Sequence, residues 1–278
     1  MSTGSDEHHT GFQGEKGMEG LTTDYDPMDE DFDDSILFDF ILEGGHTYTS
    51  FGSREYMLPN DDFWTLVEAA FHHVIHDLVL DKKPFLGSTA AFEGRVLDIG
   101  TGIGLWAIDR WIKRELEPGG LVEFQELLWY PCIQDGGITK PYLGPLAEFF
   151  QTLALAFSAV EITLDAPQFL RTGLEESGFK EVCQQEFLIP LGHWPTDPKS
   201  KNIGICFHEF LMDAIEPLSS RVLRRGLNYS PSEAQTWVAR FKETLEDSSR
   251  EMIFFQFIVV HGRKSRRSSG SVDPPAGL

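Results

Sequence analysis

Residues 96–109 of this chain, VLDIGTGIGLWAID, constrain its fold more than any other stretch. Arg95–Ile99 is a short β-rich run that ends at a glycine, too short for a helix, and reads as a buried strand. Gly100, Gly102 and Gly104 then supply a turn, and Leu105, Ile108, Ile112 and Leu116 recur on one helical face until Pro118-Gly119-Gly120 stops them. Leu121–Gln125 reads as the next strand. Asp109 and Gly119 are separated by nine residues, so the connection holds one helix and nothing more. A crossover of about a dozen residues is close to the minimum for a parallel pair. Its right-handed closure predicts the Leu121 strand beside the Arg95 strand. The expectation is an α/β fold with a reduced, mostly parallel central sheet, built from strands near 96, 122, 185 and 256, with helical additions.

The turn carries chemistry as well as geometry. Its glycines let the backbone reverse tightly and let a ligand approach without a Cβ in the way. The helix that follows points unpaired N–H groups and its positive dipole end at that ligand. Dinucleotide sites favour G-x-G-x-x-G, with pyrophosphate at the helix. Here the spacing is Asp98-x-Gly100-x-Gly102-x-Gly104, with a carboxylate at the strand terminus.

That spacing resembles motif I of class I S-adenosylmethionine-dependent methyltransferases. Further segments, LEPGGLVEFQE, LEESGFKEV, IPLGHWPTDPKSKNIG and the closing HGRK, follow in order after an LPND helix start. Together, over roughly residues 46–264, they look like fungal methyltransferases of the LaeA-like type. The resemblance implies a Rossmann-like methyltransferase fold, S-adenosylmethionine as cofactor and a place in secondary metabolism. It assigns Asp98, Gly100, Gly102 and Gly104 to the cofactor. A class I enzyme also carries strands two to four between motif I and the PGG turn, about two units of roughly 30 residues each. They are missing here, and with them the acid for the ribose hydroxyls and the residues that hold adenine. A cofactor gripped only at its methionine end is expected to bind weakly. Two readings follow: a methyltransferase acting on a small molecule, or a non-catalytic accessory or regulatory protein that keeps the fold.

Catalytic candidates are few. Glu123 and Glu126 read as bracketing the end of the Leu121 strand, near the expected transfer site, and His193 falls in a loop after a strand. Either Glu126 or His193 could act as general base toward an oxygen nucleophile. Equally, His193-Trp194-Pro195 could be a loop over a packed Trp. His72, His73 and His76 lie on one predicted helix, but no HExxH glutamate or cysteine pair completes a zinc site, so no metal is expected.

The remaining expectations concern organisation and partners. Net charge is −21, of which residues 1–62, with 16 acidic and 2 basic side chains, carry −14. A chain so acidic repels phosphate backbones and is not expected to bind nucleic acid. Residues 1–45 are expected to be a disordered acidic segment, 46–262 a methyltransferase-like domain and 263–278 a disordered polar tail. Cys132, Cys183 and Cys206 are odd in number and lack CxxC spacing, which fits a reducing compartment. No apolar run approaches the ~20 residues of a membrane helix, and the first residues do not read as a signal peptide. The expected location is the cytoplasm, with Lys264-Ser265-Arg266-Arg267 as a candidate nuclear signal. The truncated sheet leaves an edge that a second copy, as a homodimer, or another protein could cover.

Along the rest of the chain, a helix is expected from Pro59-Asn60-Asp61-Asp62 to before Pro84. Beyond Pro131 the pattern turns helical, with helices over 145–160, 167–177, 207–215 and 231–246. Strands are expected over 182–189 and 253–260.

Overall fold

The computed structural model describes residues 40–49, 55–83, 85–87 and 119–265. Two short strands, β1 (Phe40–Glu43) and β2 (His46–Thr49), form an antiparallel hairpin. Its two-residue loop is Gly44-Gly45, with both φ values positive, the conformation that favours glycine in tight hairpins. The expected boundary between residues 45 and 46 therefore falls inside a hairpin.

Helix α1 (Asp62–His72) begins where its sequence indicates. The Asp61 side chain caps it by accepting from Trp64 N–H, and Trp64 and Val67 are buried. A π-helical turn, His73–Val79, carries the chain on.

A four-stranded sheet has the order β4-β3-β6-β5, from β3 (Leu121–Asp135), β4 (Ile138–Pro141), β5 (Lys180–Pro190) and β6 (Phe254–Arg263). Every neighbouring pair is antiparallel, which corrects the mostly parallel sheet expected from the sequence. β3 and β5 do run in the same direction, but β6 lies reversed between them. The reason lies in the connection. Two helices, α4 (Pro198–Leu227) and α5 (Pro231–Asp247), separate β5 from β6. One crossover helix returns a chain to the start of the previous strand, whereas a helical pair returns it to the end. Accordingly Phe254 pairs with Pro190, and Leu191 N–H donates to Ile253 C=O at 2.9 Å.

β3 also outruns its expected length. It passes through Pro131, in the stretch between Leu128 and Cys132 where register with β6 shifts and a missing donor is tolerated. It then turns at Gly136-Gly137 into β4. The expected helical pattern beyond Pro131 begins only at Pro145.

The sheet is covered on both faces. Leu127, Phe255, Phe257, Val259 and Ile189 lie in the main core with α2 (Pro145–Ala159), α4 and α5. In that core Phe150 packs edge-on against both Phe241 and Phe255. On the other face Phe124, Ile258 and Val260 meet Leu170 and Leu174 of α3 (Leu170–Glu176). The helix ends follow their sequence signals: Ser230 and Glu233 form a capping box ahead of α5, and Asn228 ends α4 in the left-handed region.

One buried polar node ties β2 to α1 and α4. His46 Nδ1 lies 2.7 Å from Asp61 Oδ2, and Nε2 lies 2.9 Å from Glu216 Oε2. Burial alone would push the imidazole pKa down, but hydrogen bonds to Glu216 and Asp61 outweigh it and raise the value above 6.5. The stability His46 confers is therefore complete below 6.5 and lost as pH rises through its folded pKa. Asp61 works in reverse. Burial opposes its charge, but hydrogen bonds from Trp64 N–H, His46 and Thr47 N–H hold its pKa below 3.8, so its contribution disappears as pH falls through that lower value. The urea midpoint is expected to fall as pH rises above about 6.5, and His46→Gln is expected to remove that part of the fall.

Candidate functional site

Asp98, Gly100, Gly102 and Gly104 lie outside the described residues, as do the expected strand at 95–99 and helix at 105–117. The two ends of that segment are described. At one end, Leu86 N–H and Gly87 N–H donate to the Glu123 carboxylate at 2.9 and 2.7 Å, and Gln125 Nε2 donates to the same group at 2.9 Å. A Cβ on Gly87 would meet Leu121 Cδ2 at 2.7 Å, so the strap lies flat on the start of β3. At the other end, Gly119 N–H donates to Lys264 C=O, and Lys264 N–H donates to Gly120 C=O, both at 2.9 Å. Residues 88–118 thus leave and rejoin the described structure at the same end of β3. β4 covers the outer edge of β3 only over Cys132–Asp135.

Glu123 anchors this strap and does not mark the end of a strand. Glu126 is likewise mid-strand, because β3 runs on to Asp135. It is buried opposite Ile258, on the α3 face of the sheet. His193 lies elsewhere, beyond the end of β5 and against α4 and α5. The structure does not bring Glu126 and His193 together.

Around His193 the chain is tightly clamped. Gly192 has φ +87°, and its N–H donates to Gly204 C=O on α4 at 3.0 Å. His193 N–H donates to Ser249 C=O at 2.9 Å, in the helical turn (Ser248–Arg250) that follows α5. A Cβ on Gly192 would collide with the Ser249 carbonyl, and one on Gly204 with the Gly192 carbonyl. Both glycines exist so that backbone can meet backbone here. The clamp sets His193 over a cleft of about 400 Å³ lined also by Ile205, His208, Glu209, Met212, Asp213 and Glu246. Trp194, next in sequence, packs edge-on against Phe254 at 4.9 Å.

His208 is the residue in this cleft that sequence reasoning missed. It is 6% exposed, and its ring centroid lies 6.1 Å from that of His193. Burial drives its pKa below 6.5; the Glu246 carboxylate opposes the shift, His193 adds to it, and a hydrogen bond to the Leu245 backbone also opposes it. The ring is neutral at pH 7. Its buried Nε2 has no hydrogen-bond partner, and Glu246 Oε2 stands 3.5 Å away. A signal was available: His208 and Met212, like Glu209 and Asp213, are four residues apart and share a helical face.

His72, His73 and His76 are committed locally. Nδ1 of His73 and Nδ1 of His76 each lie 2.8 Å from an Asp77 oxygen, and the His72 and His76 rings stack at 5.0 Å. Among the described residues no group of three or more His, Cys, Asp or Glu side chains converges on a metal position. Cys132, Cys183 and Cys206 are free thiols. No described helix is long and apolar enough to cross a membrane.

No protein-family model matches the chain. It is similar to the methyltransferase pytC of Aspergillus terreus, at 22% identity over 79% of this chain and 86% of that protein. It is also similar to the protein-methionine methyltransferase laeA of Chaetomium globosum, at 26% identity over 69% of this chain and 59% of that protein. The secondary metabolism regulator laeA of Fusarium oxysporum f. sp. lycopersici is 24% identical over 74% of this chain and 86% of that protein. The alignment with pytC runs over 284 positions, longer than the chain itself. Since 79% of 278 is about 220 residues, about 64 of those 284 positions face no residue here. That shortfall is about the size of two strand–helix units.

Proposed function

We propose that this chain, a relative of the fungal LaeA-like methyltransferases, transfers a methyl group from S-adenosylmethionine to a small molecule of fungal secondary metabolism, in the cytoplasm or nucleus. The cofactor supplies a methyl group activated on sulfonium. Asp98 would hold its ammonium group, while Gly100, Gly102 and Gly104 give its backbone-facing side room to approach.

The observation that carries this reading is that Gly87 and Gly119, which flank residues 88–118, both lie at the start of β3. A strand–turn–helix unit needs that closure. Five strand residues rise about 16 Å, and a 13-residue helix brings the chain back about 20 Å. A strand and a helix of those lengths would set the glycine turn toward the later part of β3, the sheet end where β5 delivers His193. His193 is the base we assign. Its ring lines an open cleft, whereas the Glu126 carboxylate sits in the small core on the opposite face. Transfer is mostly a positioning task, and the clamp at Gly192 and Ser249 serves that need.

The shortfall against pytC favours a second reading, an accessory or regulatory protein with the same fold. Calorimetry of the full chain with S-adenosylmethionine separates the two. The enzyme reading expects binding, weaker than a complete site would give, and expects Gly102→Val to abolish it because the side chain occupies the approach. No heat at millimolar cofactor overturns the enzyme reading and leaves the regulatory one. Unchanged affinity in Gly102→Val moves the site away from the glycine turn.

A further inference from the structure

Every polar side-chain group that lines the cleft beneath His193 accepts a hydrogen bond at neutral pH or can do so. Glu209 and Asp213 project from α4 and Glu246 from α5, and among the described residues no lysine or arginine lines the cleft. At its buried end sits His208 Nε2, which has no hydrogen-bond partner. A neutral imidazole with its proton on Nδ1 presents Nε2 as an acceptor. Two acceptors, His208 Nε2 and Glu246 Oε2, then stand 3.5 Å apart with no donor between them. An unpaired acceptor held this deep is costly, and a group that brings protons to both relieves it. Ile205 and Met212 supply apolar wall beside them.

We infer that this cleft binds a protonated primary amine on an alkyl chain, its ammonium group donating to His208 Nε2 and the Glu246 carboxylate while Glu209 and Asp213 add negative field. The three donors of a primary ammonium match the two converging acceptors and leave one for water or for a rim carboxylate. A neutral alcohol brings one donor and no charge, and a carboxylate is repelled. The inference goes beyond methyl transfer and does not depend on it, since the cleft is built from residues 193–246 alone.

The test uses the full chain in 150 mM salt and n-hexylamine hydrochloride, hexan-1-ol and sodium hexanoate as probes, followed by calorimetry and by the imidazole proton resonances of His208. n-Hexylamine is expected to bind at least ten-fold more tightly than hexan-1-ol and to shift the His208 resonances. Glu246→Gln, at a side chain 65% exposed and so tolerant of change, is expected to weaken amine binding at least ten-fold. His208→Phe is expected to do the same. Equal binding of amine and alcohol overturns the inference. So does a Glu246→Gln protein that binds the amine as before, since the ammonium would then sit elsewhere on this acidic chain. None of these readouts uses S-adenosylmethionine, so failure here and failure of methyl transfer are distinguishable.

Discussion

Gly192→Ala is expected to cost about 3–4 kcal/mol of stability, although it adds a single methyl group. Two effects sum. At φ +87° any side chain is strained by about 1–2 kcal/mol. The new Cβ also drives into the Ser249 carbonyl, which is main chain and cannot rotate aside. Relieving that overlap moves the β5–α4 loop off α5 and costs about 2 kcal/mol more. Gly137→Ala separates the two effects. Gly137 has φ +81° with open space around it, so it should lose the strain component alone, about 1–2 kcal/mol. Gly204→Ala is the converse, a clash with the Gly192 carbonyl and no strain of backbone sign. At roughly 2–4 °C per kcal/mol for a chain of this size, calorimetric melting should place Gly192→Ala lowest of the three. Equal midpoints for Gly192→Ala and Gly137→Ala would remove the clamp from the account. Because the clamp sets His193 over the cleft, Gly204→Ala is also expected to weaken n-hexylamine binding.

Arg221→Met is expected to cost about 3 kcal/mol, through charge and packing together. The Arg221 side chain is fully buried, 4.2 Å over the Tyr48 ring, and its Nη1 donates to the Tyr56 carbonyl at 2.8 Å. Glu43 and Glu55 stand 3.5 and 3.4 Å from other guanidinium nitrogens. Methionine refills much of the volume but leaves the Tyr56 carbonyl without a donor and Tyr48 without its cation. Glu43 keeps Arg224 at 2.7 Å and Arg225 at 3.1 Å, which places the cost at the lower end of the range for a broken buried pair. The loss should centre on the β1–β2 hairpin, since Arg221 joins Tyr48 of that hairpin to α4. Hydrogen exchange should show the protection of the β1–β2 hairpin amides lost before that of β6. Uniform loss across the sheet, or none, would contradict this role for Arg221.

These nodes mark how far the sequence could be read. Caps and periodicity placed α1, α2 and α5 close to their observed ends, because Asp61, Pro145 and the Ser230–Glu233 box act locally. The helix expected to end at Ile215, two residues short of Pro217, instead runs to Leu227. A proline inside a helix costs about 3 kcal/mol or more, but Leu218, Val222 and Leu223 beyond it are buried, and their packing outweighs that cost. Both hairpins announce themselves by an acid followed by Gly-Gly, at 43–45 and 135–137, a signal hidden by the proline at 131 and the acidic run before residue 40. The strand polarity was legible in principle from the two helices between β5 and β6. For His208 the helical-face spacing marked only a position, since its significance rests on Glu246 and Leu245, which arrive from a helix nearly forty residues later.

The proposed seat of S-adenosylmethionine is the glycine turn at Asp98–Gly104. Irradiating the full chain with cofactor labelled in its methyl group, then mapping the label by peptide sequencing, tests this directly. Label is expected in the peptide that contains Asp98–Gly104, and absent from it in Gly102→Val. Label distributed over the surface, or absent from the Asp98–Gly104 peptide, would contradict the claim.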